Sequence, residues 1–151
     1  MLNKLFLVAL TALMPISELR GAIPLGFSLG ISPILIVLIS IIANILIFFP
    51  IYFGLKLFYN KYLYKIKFVQ TNLKRIRKKK KYIDNYGFFG LILIVAIPLP
   101  FTGVWTGTIL AWLLGLDLKK SFISICCGVL IAAIIVTLIS FGIGLNNFLY
   151  I

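Results

Sequence analysis

The sequence has little of what soluble enzymes and metalloproteins use. Its 151 residues include no histidine, only 3 carboxylates and only 2 cysteines. Without histidine the commonest general base is missing, and two adjacent cysteines with three acids do not assemble an ordinary zinc site. An intramembrane protease would need a Ser/His pairing, an HExxH run or paired membrane aspartates, none of which is present. We therefore expect no enzyme, no metal and no cofactor.

Charged residues are also scarce, at 12% of the chain, while hydrophobic residues make up 62%. Globular domains have roughly 25% and about 45 to 50%, respectively. The mean hydropathy of +1.16 extends over the whole chain, so too few polar side chains remain to cover a surface that faces water. The composition predicts an all-α integral membrane protein with a single membrane domain.

The hydrophobic runs are of two kinds. Residues 33–55 and 122–145 are uninterrupted stretches of 23 and 24 residues without a charge, and about 20 apolar residues suffice to cross a membrane. Residues 2–31 and 86–116 are instead broken near their middles, by PISELRGAIP at 15–24 and by IPLPFTG at 97–103. The arm at 2–14 would form a helix of only about 20 Å, against a hydrocarbon thickness of about 30 Å. It is too short to cross alone.

The order of these segments is broken, whole, basic, broken, whole, which indicates an internal duplication. Proline and glycine suit a point where one half-helix ends and another begins, and Gly21 and Gly103 take matching places in the two breaks. We predict two inverted repeats, each a broken, re-entrant helical hairpin followed by a transmembrane helix. Their bounds are 1–55 and 86–151, with a basic interfacial loop at 56–85. Such paired interruptions point to a binding site at the bilayer midplane.

Positive charge predicts the orientation of the chain. Eleven of the 15 cations lie within residues 56–81, so this loop should be cytoplasmic in a multi-pass protein of the plasma membrane. If both broken segments are hairpins, Lys119 and Lys120 are also cytoplasmic and the C-terminus is external, which the charge rule favours. If they cross as kinked helices, both termini lie inside. A secretory signal at residues 1–14 is a third interpretation, but no A-x-A-like cleavage site follows it.

The basic loop has an apolar face, formed by Leu63, Ile66, Val69, Leu73 and Ile76 at helical spacing. It should lie along the membrane surface and contact anionic lipid head groups, unless it serves only to orient the protein. A nucleic-acid partner is not expected, because no folded domain is present to read bases.

Glu18 and Arg20 are the only charges inside either break. A charge near the bilayer centre costs about 2.5 to 3.5 kcal/mol on insertion scales, so such residues usually have a function. If Ser17 caps the returning half-helix, its free N–H groups could bind an anion beside Arg20, and Glu18 could accept a proton. The alternative is that Glu18 and Arg20 only satisfy each other or nearby backbone.

Polar groups elsewhere could complete the site. The second break offers hydroxyls, free N–H groups and an indole, typical of a lining or gate, and Asn44 lies one turn from Ser40 on the first whole segment. The candidate substrate- or proton-binding residues are Glu18, Arg20, Gly21, Asn44, Pro98, Pro100, Thr102, Gly103 and Trp105. Ser124, Gly128 and Ala132 form a small-residue seam for a close helix contact within or between chains. Because two whole helices scarcely enclose two hairpins, we expect a homo-oligomer.

Two motifs carry a resemblance to a known family. SELRGAIPLG at residues 17–26 and PLPFTGVWTG at 98–107 resemble the small multidrug export protein family and, more remotely, the DedA/VTT superfamily of paired re-entrant hairpins. The resemblance spans almost the whole chain. It implies that Glu18 takes the role of the membrane carboxylate and Arg20 that of an anion contact in proton-coupled transport. The second hairpin departs from the DedA pattern because it has no arginine or acid.

The leading prediction is a small secondary transporter or exporter of a small-molecule or lipid substrate, with proton coupling through Glu18 and a site between the broken helices. Two alternatives remain open, namely a lipid flippase or scramblase for anionic head groups and a membrane scaffold that transports nothing. A compact exporter of four plain helices does not fit, because it lacks paired Pro/Gly breaks and a long basic loop.

Overall fold

All the regular secondary structure in the described part of the chain is α-helix. The computed structural model describes residues 2–61, 80–99 and 102–149, and those ranges contain no strand. Their helices are α1 (Leu2–Leu13), α2 (Glu18–Ser28), α3 (Pro33–Leu46), α4 (Phe48–Lys61), α5 (Lys80–Ala96), α6 (Val104–Leu114) and α7 (Leu118–Leu149). The all-α prediction is confirmed. The predicted interfacial helix of the basic loop lies almost wholly outside the described residues.

Two helical stretches are long and apolar enough to cross a membrane. They are Pro33–Phe58, with 26 residues, and Leu118–Gly142, with 25. At about 1.5 Å per residue each exceeds the hydrocarbon thickness of about 30 Å. The first is interrupted at Ile47 between α3 and α4, because Pro50 has no N–H to donate to the carbonyl of Leu46.

The short helices are ordered as two pairs, α1 with α2 and α5 with α6. Within each pair the two helices contact each other and the long helix that follows them in the chain. Each second short helix also reaches the other half of the molecule, since α2 contacts α7 and α6 contacts α4. The two halves therefore repeat the same neighbour relations.

The short helices α2 and α6 also end in the same way. Each is followed by a glycine with a left-handed backbone, Gly30 at φ +69° and Gly115 at φ +70°. In both cases the next amide bonds back to the carbonyl five residues earlier, Ile31 to Gly26 and Leu116 to Ala111. This is the Schellman motif, which ends a helix and turns the chain sharply.

The structure corrects the predicted match between Gly21 and Gly103. Gly103 is the N-cap of α6, whereas the N-cap of α2 is Ser17 and Gly21 lies inside α2. Counted from the helix starts, Gly21 corresponds to Gly107. The two glycines do not correspond, because Gly103 precedes its helix whereas Gly21 is the fourth residue of its helix.

Glycines allow the closest helix contacts in the core. A Cβ atom on Gly128 would lie 2.6 Å from Cβ of Val95, and one on Gly107 would lie 2.7 Å from Cγ2 of the same valine. Val95 of α5 is thus packed between α6 and α7. The small-residue seam on α7 forms a close contact within the chain at Gly128, where a contact between chains was the other predicted option.

Candidate functional site

Among the residues whose burial is described, Glu18 is the acidic residue that is buried. Its side chain is only 4% exposed, and it begins α2 directly after the turn at residues 14–17. Its backbone has φ +45°, which non-glycine residues rarely adopt. Such a conformation costs on the order of 1 to 3 kcal/mol and is typical of functional sites. Neither broken segment is a continuous helix.

The carboxylate lies on the N-terminus of α6, 87 residues away in the chain. Its Oε1 atom accepts a hydrogen bond of 3.3 Å from the backbone N–H of Trp105, and the N–H of Val104 also faces it. The first N–H groups of a helix have no partner inside the helix and carry the positive end of its dipole. The first break therefore supplies the anion that binds the free helix end in the second break.

Gly103 makes this approach possible. A Cβ atom at this position would overlap the carboxylate oxygens of Glu18 and would lie 2.6 Å from its Cδ. The backbone of Gly103 has φ +149° and ψ −154°, a region essentially restricted to glycine. Both the space and the conformation thus require glycine.

Arg20 binds the opposite helix end of the same break. Its Nη2 atom donates a hydrogen bond of 3.0 Å to the carbonyl of Ile97, which the hydroxyl of Thr102 also approaches at 2.9 Å. Ile97 directly follows α5, where carbonyls lack helical partners and a cation is favoured by the helix dipole. Arg20 also attracts Glu18 electrostatically, so the two charges bridge both ends of the second break.

Asn44 brings a third helix, α3, to the site, and Ser40 lies one turn before it on the same helix. Both are completely buried. The Asn44 amide interacts with the Glu18 carboxylate, but neither its Nδ2 nor its Oδ1 has a hydrogen bond of ordinary geometry, and the Ser40 hydroxyl has none either. Leaving a buried polar group unsatisfied costs about 1 to 3 kcal/mol. These groups are therefore available to another partner.

Trp105 fixes the two helix pairs together with its ring as well as its backbone. The indole Nε1 donates a hydrogen bond of 3.2 Å to the carbonyl of Leu13, the last residue of α1. Thr102 bonds only within its own break, to the carbonyls of Ile97 and Leu99. Trp105 is thus an anchor, and Thr102 stabilises the turn.

Some predicted residues lie elsewhere. Gly21 packs against Ser17, whose Cβ would lie 2.6 Å from an added Cβ, and not against the carboxylate. Ser17 occupies the N-cap position but makes no side-chain cap, because its backbone is helical at φ −85° and ψ −43°; its hydroxyl donates to the carbonyl of Thr11. Pro98 lies in the second break. Pro100 lies outside the described residues.

The residue that sequence reasoning missed most clearly is Val104. It contributes a backbone N–H, which cannot be recognised from the residue type because nearly every residue has one. A helix start preceded by glycine is the one signal that could have indicated it. In the described ranges no cluster of three His, Cys, Asp or Glu could hold a metal ion.

The long apolar helices indicate a membrane protein, and the short paired helices bury a charged group between their ends. A family model described as "Putative small multi-drug export protein" matches residues 18–135. The chain belongs to this small multidrug export family, whose description indicates a membrane transporter. The matched range contains every candidate site residue.

No curated protein and no solved structure matches the chain. The family model confirms the predicted resemblance to the small multidrug export family. The remoter resemblance to the DedA/VTT superfamily stays a prediction.

Proposed function

We propose that this protein is a small proton-coupled secondary transporter whose site lies between its two breaks. The observation that carries the proposal is the Glu18 carboxylate, buried on the free N-terminus of α6. A carboxylate at this depth is costly to retain, and it rests on main-chain N–H groups that could also bind a substrate. One titratable group thus controls a polar contact between the two halves of the molecule.

The repeated architecture supports a transporter with inverted repeats in the cell membrane. The helix α1 has 12 residues and α6 has 11, or about 18 and 17 Å, so neither crosses a bilayer alone. If each pair returns to its own side, the single crossing by α3 and α4 inverts the second half relative to the first. The shared neighbour relations and helix ends of the two halves fit this arrangement, in which broken helices meet at the midplane. The positive-inside rule supports a cytoplasmic basic loop in this arrangement.

Protonation of Glu18 supplies the coupling step. The ionised carboxylate is held by the α6 amides and by attraction to Arg20. A neutral carboxyl keeps much less of both interactions, because hydrogen bonds to charged groups are roughly twice as strong as neutral ones. Proton binding therefore loosens the contact between the two breaks, and proton release restores it. A coupled transporter needs two conformational states, and protonation of Glu18 would shift the balance between a state with this contact and one without it.

The test is proton movement in vesicles. The purified protein is reconstituted in liposomes loaded with a pH-sensitive dye, and each compound of a panel of organic cations, organic anions and neutral amphiphiles is added in turn. At least one class should change the internal pH in a protein-dependent way. Glu18→Gln should abolish that change while the protein still inserts, because the amide is close in shape but does not titrate.

Asp117→Asn is the matched control. Asp117 is exposed and precedes α7, so its substitution removes one carboxylate without touching the site and should leave proton movement intact. Unimpaired coupling in Glu18→Gln would contradict the proposal. Labelled lipid that changes leaflet without any flux would indicate lipid translocation instead, and reduced abundance with no activity in any variant would indicate a scaffold.

A further inference from the structure

The carboxylate of Glu18 occupies the N-terminus of α6, and another carboxylate could take its place. We propose that this helix end is a carboxylate-binding site, which Glu18 occupies in the state described here and which the carboxylate of a transported compound occupies once Glu18 is protonated. This inference rests on the proposed function and extends it by naming the substrate class. It also predicts that substrate and proton move together.

The site is shaped for a carboxylate. The position of Gly103 leaves room for two carboxylate oxygens and for no Cβ atom. Amides of Val104 and Trp105 face that space from the start of α6. A planar group with two oxygens fits a pair of successive N–H groups, and the favourable end of the helix dipole requires that it be negative.

Glu18 is held less tightly than an unconstrained carboxylate would be. The contact between Oε1 and the Trp105 amide is 3.3 Å, whereas hydrogen bonds to ionised groups are usually about 2.7 to 2.9 Å. Glu18 also reaches this position only with a backbone at φ +45°, a conformation that opposes binding. An unconstrained carboxylate would bear no such cost, so it should bind more strongly to the same amides than Glu18 does.

A second observation points independently to a ligand. Asn44 is completely buried and interacts with the carboxylate, yet both polar atoms of its amide lack a hydrogen bond of ordinary geometry. The Ser40 hydroxyl beside it is equally buried and unsatisfied, and so is Nε of Arg20. Asn44 and Arg20 thus leave polar atoms unsatisfied next to the Glu18 carboxylate, whereas buried polar groups in proteins are normally hydrogen-bonded. A carboxylate that is not tied to the backbone at residue 18 can orient its oxygens toward donors that Glu18 leaves unused.

Competition for one position couples the substrate to the proton. An ionised Glu18 and an ionised ligand cannot share the amides, because like charges at that distance repel strongly at low dielectric. Among the residues that the structure describes, Arg20 of α2 is the charged group that acts on Glu18, while α3 presents Asn44 and Ser40 and α6 presents backbone amides. One proton on Glu18 thus accompanies one bound carboxylate, and the pair adds no net charge to the site.

The experiment measures binding of radiolabelled benzoate to the purified full-length protein in detergent between about pH 5.5 and 8, a range in which benzoate stays ionised. The wild type should gain at least tenfold in affinity as the pH falls, because Glu18 then releases the amides. Glu18→Ala should bind at least tenfold more tightly than the wild type at pH 8, and with no pH dependence. Asp117→Asn should behave as the wild type.

Three further arms sharpen the result. Laurate replaces benzoate to distinguish a carboxylate that enters from the lipid from one that enters from water, and tighter laurate binding assigns the lipid route. Benzamide, which is neutral, should not bind. Adding Asn44→Ala to Glu18→Ala should weaken benzoate binding at least fivefold. If Glu18→Ala fails to fold, Glu18→Gln serves, and its binding should likewise be independent of pH.

Failure of this inference is distinguishable from failure of the proposed function. No benzoate or laurate binding in any folded variant, or equal binding by the wild type at all pH values, overturns the carboxylate site. Loss of proton movement in Glu18→Gln would still support the transporter in that case. Intact proton movement in Glu18→Gln would overturn the transporter, whatever binds to α6.

Discussion

Gly103→Ala tests the contact between the two breaks most directly. The added methyl group would overlap the Glu18 oxygens and lie 2.7 Å from Oε1, so the carboxylate must leave the α6 amides. A charge-assisted hydrogen bond lost in this way is worth about 1.5 to 3 kcal/mol. The backbone at φ +149° adds about 1 to 3 kcal/mol for any residue with a Cβ atom. The expected loss of unfolding free energy is therefore about 2.5 to 6 kcal/mol, with loss of proton coupling.

Two glycines elsewhere separate these contributions. Gly30 has φ +69° but nothing within 4 Å of an added Cβ atom, so Gly30→Ala should cost only the backbone term, about 1 to 2 kcal/mol. Gly90 lies inside α5 and also has open space, so Gly90→Ala should be neutral or stabilise by up to about 1 kcal/mol. Neither variant should affect coupling.

The measurement is reversible unfolding in mixed detergent micelles, followed by tryptophan fluorescence, with proton movement in vesicles measured in parallel. A double-mutant cycle with Glu18→Ala then isolates the contact. The two substitutions should be less than additive by about 1.5 to 3 kcal/mol, because either one alone already removes the same hydrogen bond. The reasoning is refuted if Gly103→Ala costs no more than Gly30→Ala and retains proton coupling, or if the cycle is additive.

Three other substitutions have definite expected outcomes. Asn44→Leu should leave unfolding free energy unchanged or raise it by about 1 to 2 kcal/mol while lowering flux at least tenfold, since it removes an unsatisfied buried amide that the site uses. Gly107→Ala should destabilise by about 1 to 3 kcal/mol through overlap with Cγ2 of Val95, with recovery in the double variant that also carries Val95→Ala and so lacks that methyl group. Trp105→Phe should cost about 0.5 to 1.5 kcal/mol in the same unfolding assay, because it removes the hydrogen bond to the Leu13 carbonyl.

The helical plan of the molecule was accessible from the sequence because it depends on local chemistry. Lipid solvent requires apolar runs of a minimum length, and proline and glycine interrupt such runs. The turn at residues 14–17 accordingly overlaps the start of the first predicted break at 15–24, the rest of which is helix α2, and α5 ends at Ala96, directly before the second predicted break at 97–103. The interruption at Ile47 was not predicted. It depends on Pro50, which has no N–H to donate to the carbonyl four residues earlier in the chain.

The partners of the buried charges were not accessible, for a physical reason. Glu18 and Arg20 were recognised by their cost in a membrane, but Glu18 binds an amide of Trp105 and Arg20 binds the carbonyl of Ile97. Main-chain groups are the same at every position, so only the placement of the helix ends distinguishes these partners from any others. The second break therefore needs no charged side chain of its own to bind Glu18 and Arg20. The second break provides a positive helix start and a negative helix end, and these two ends need the opposite charges that the first break carries.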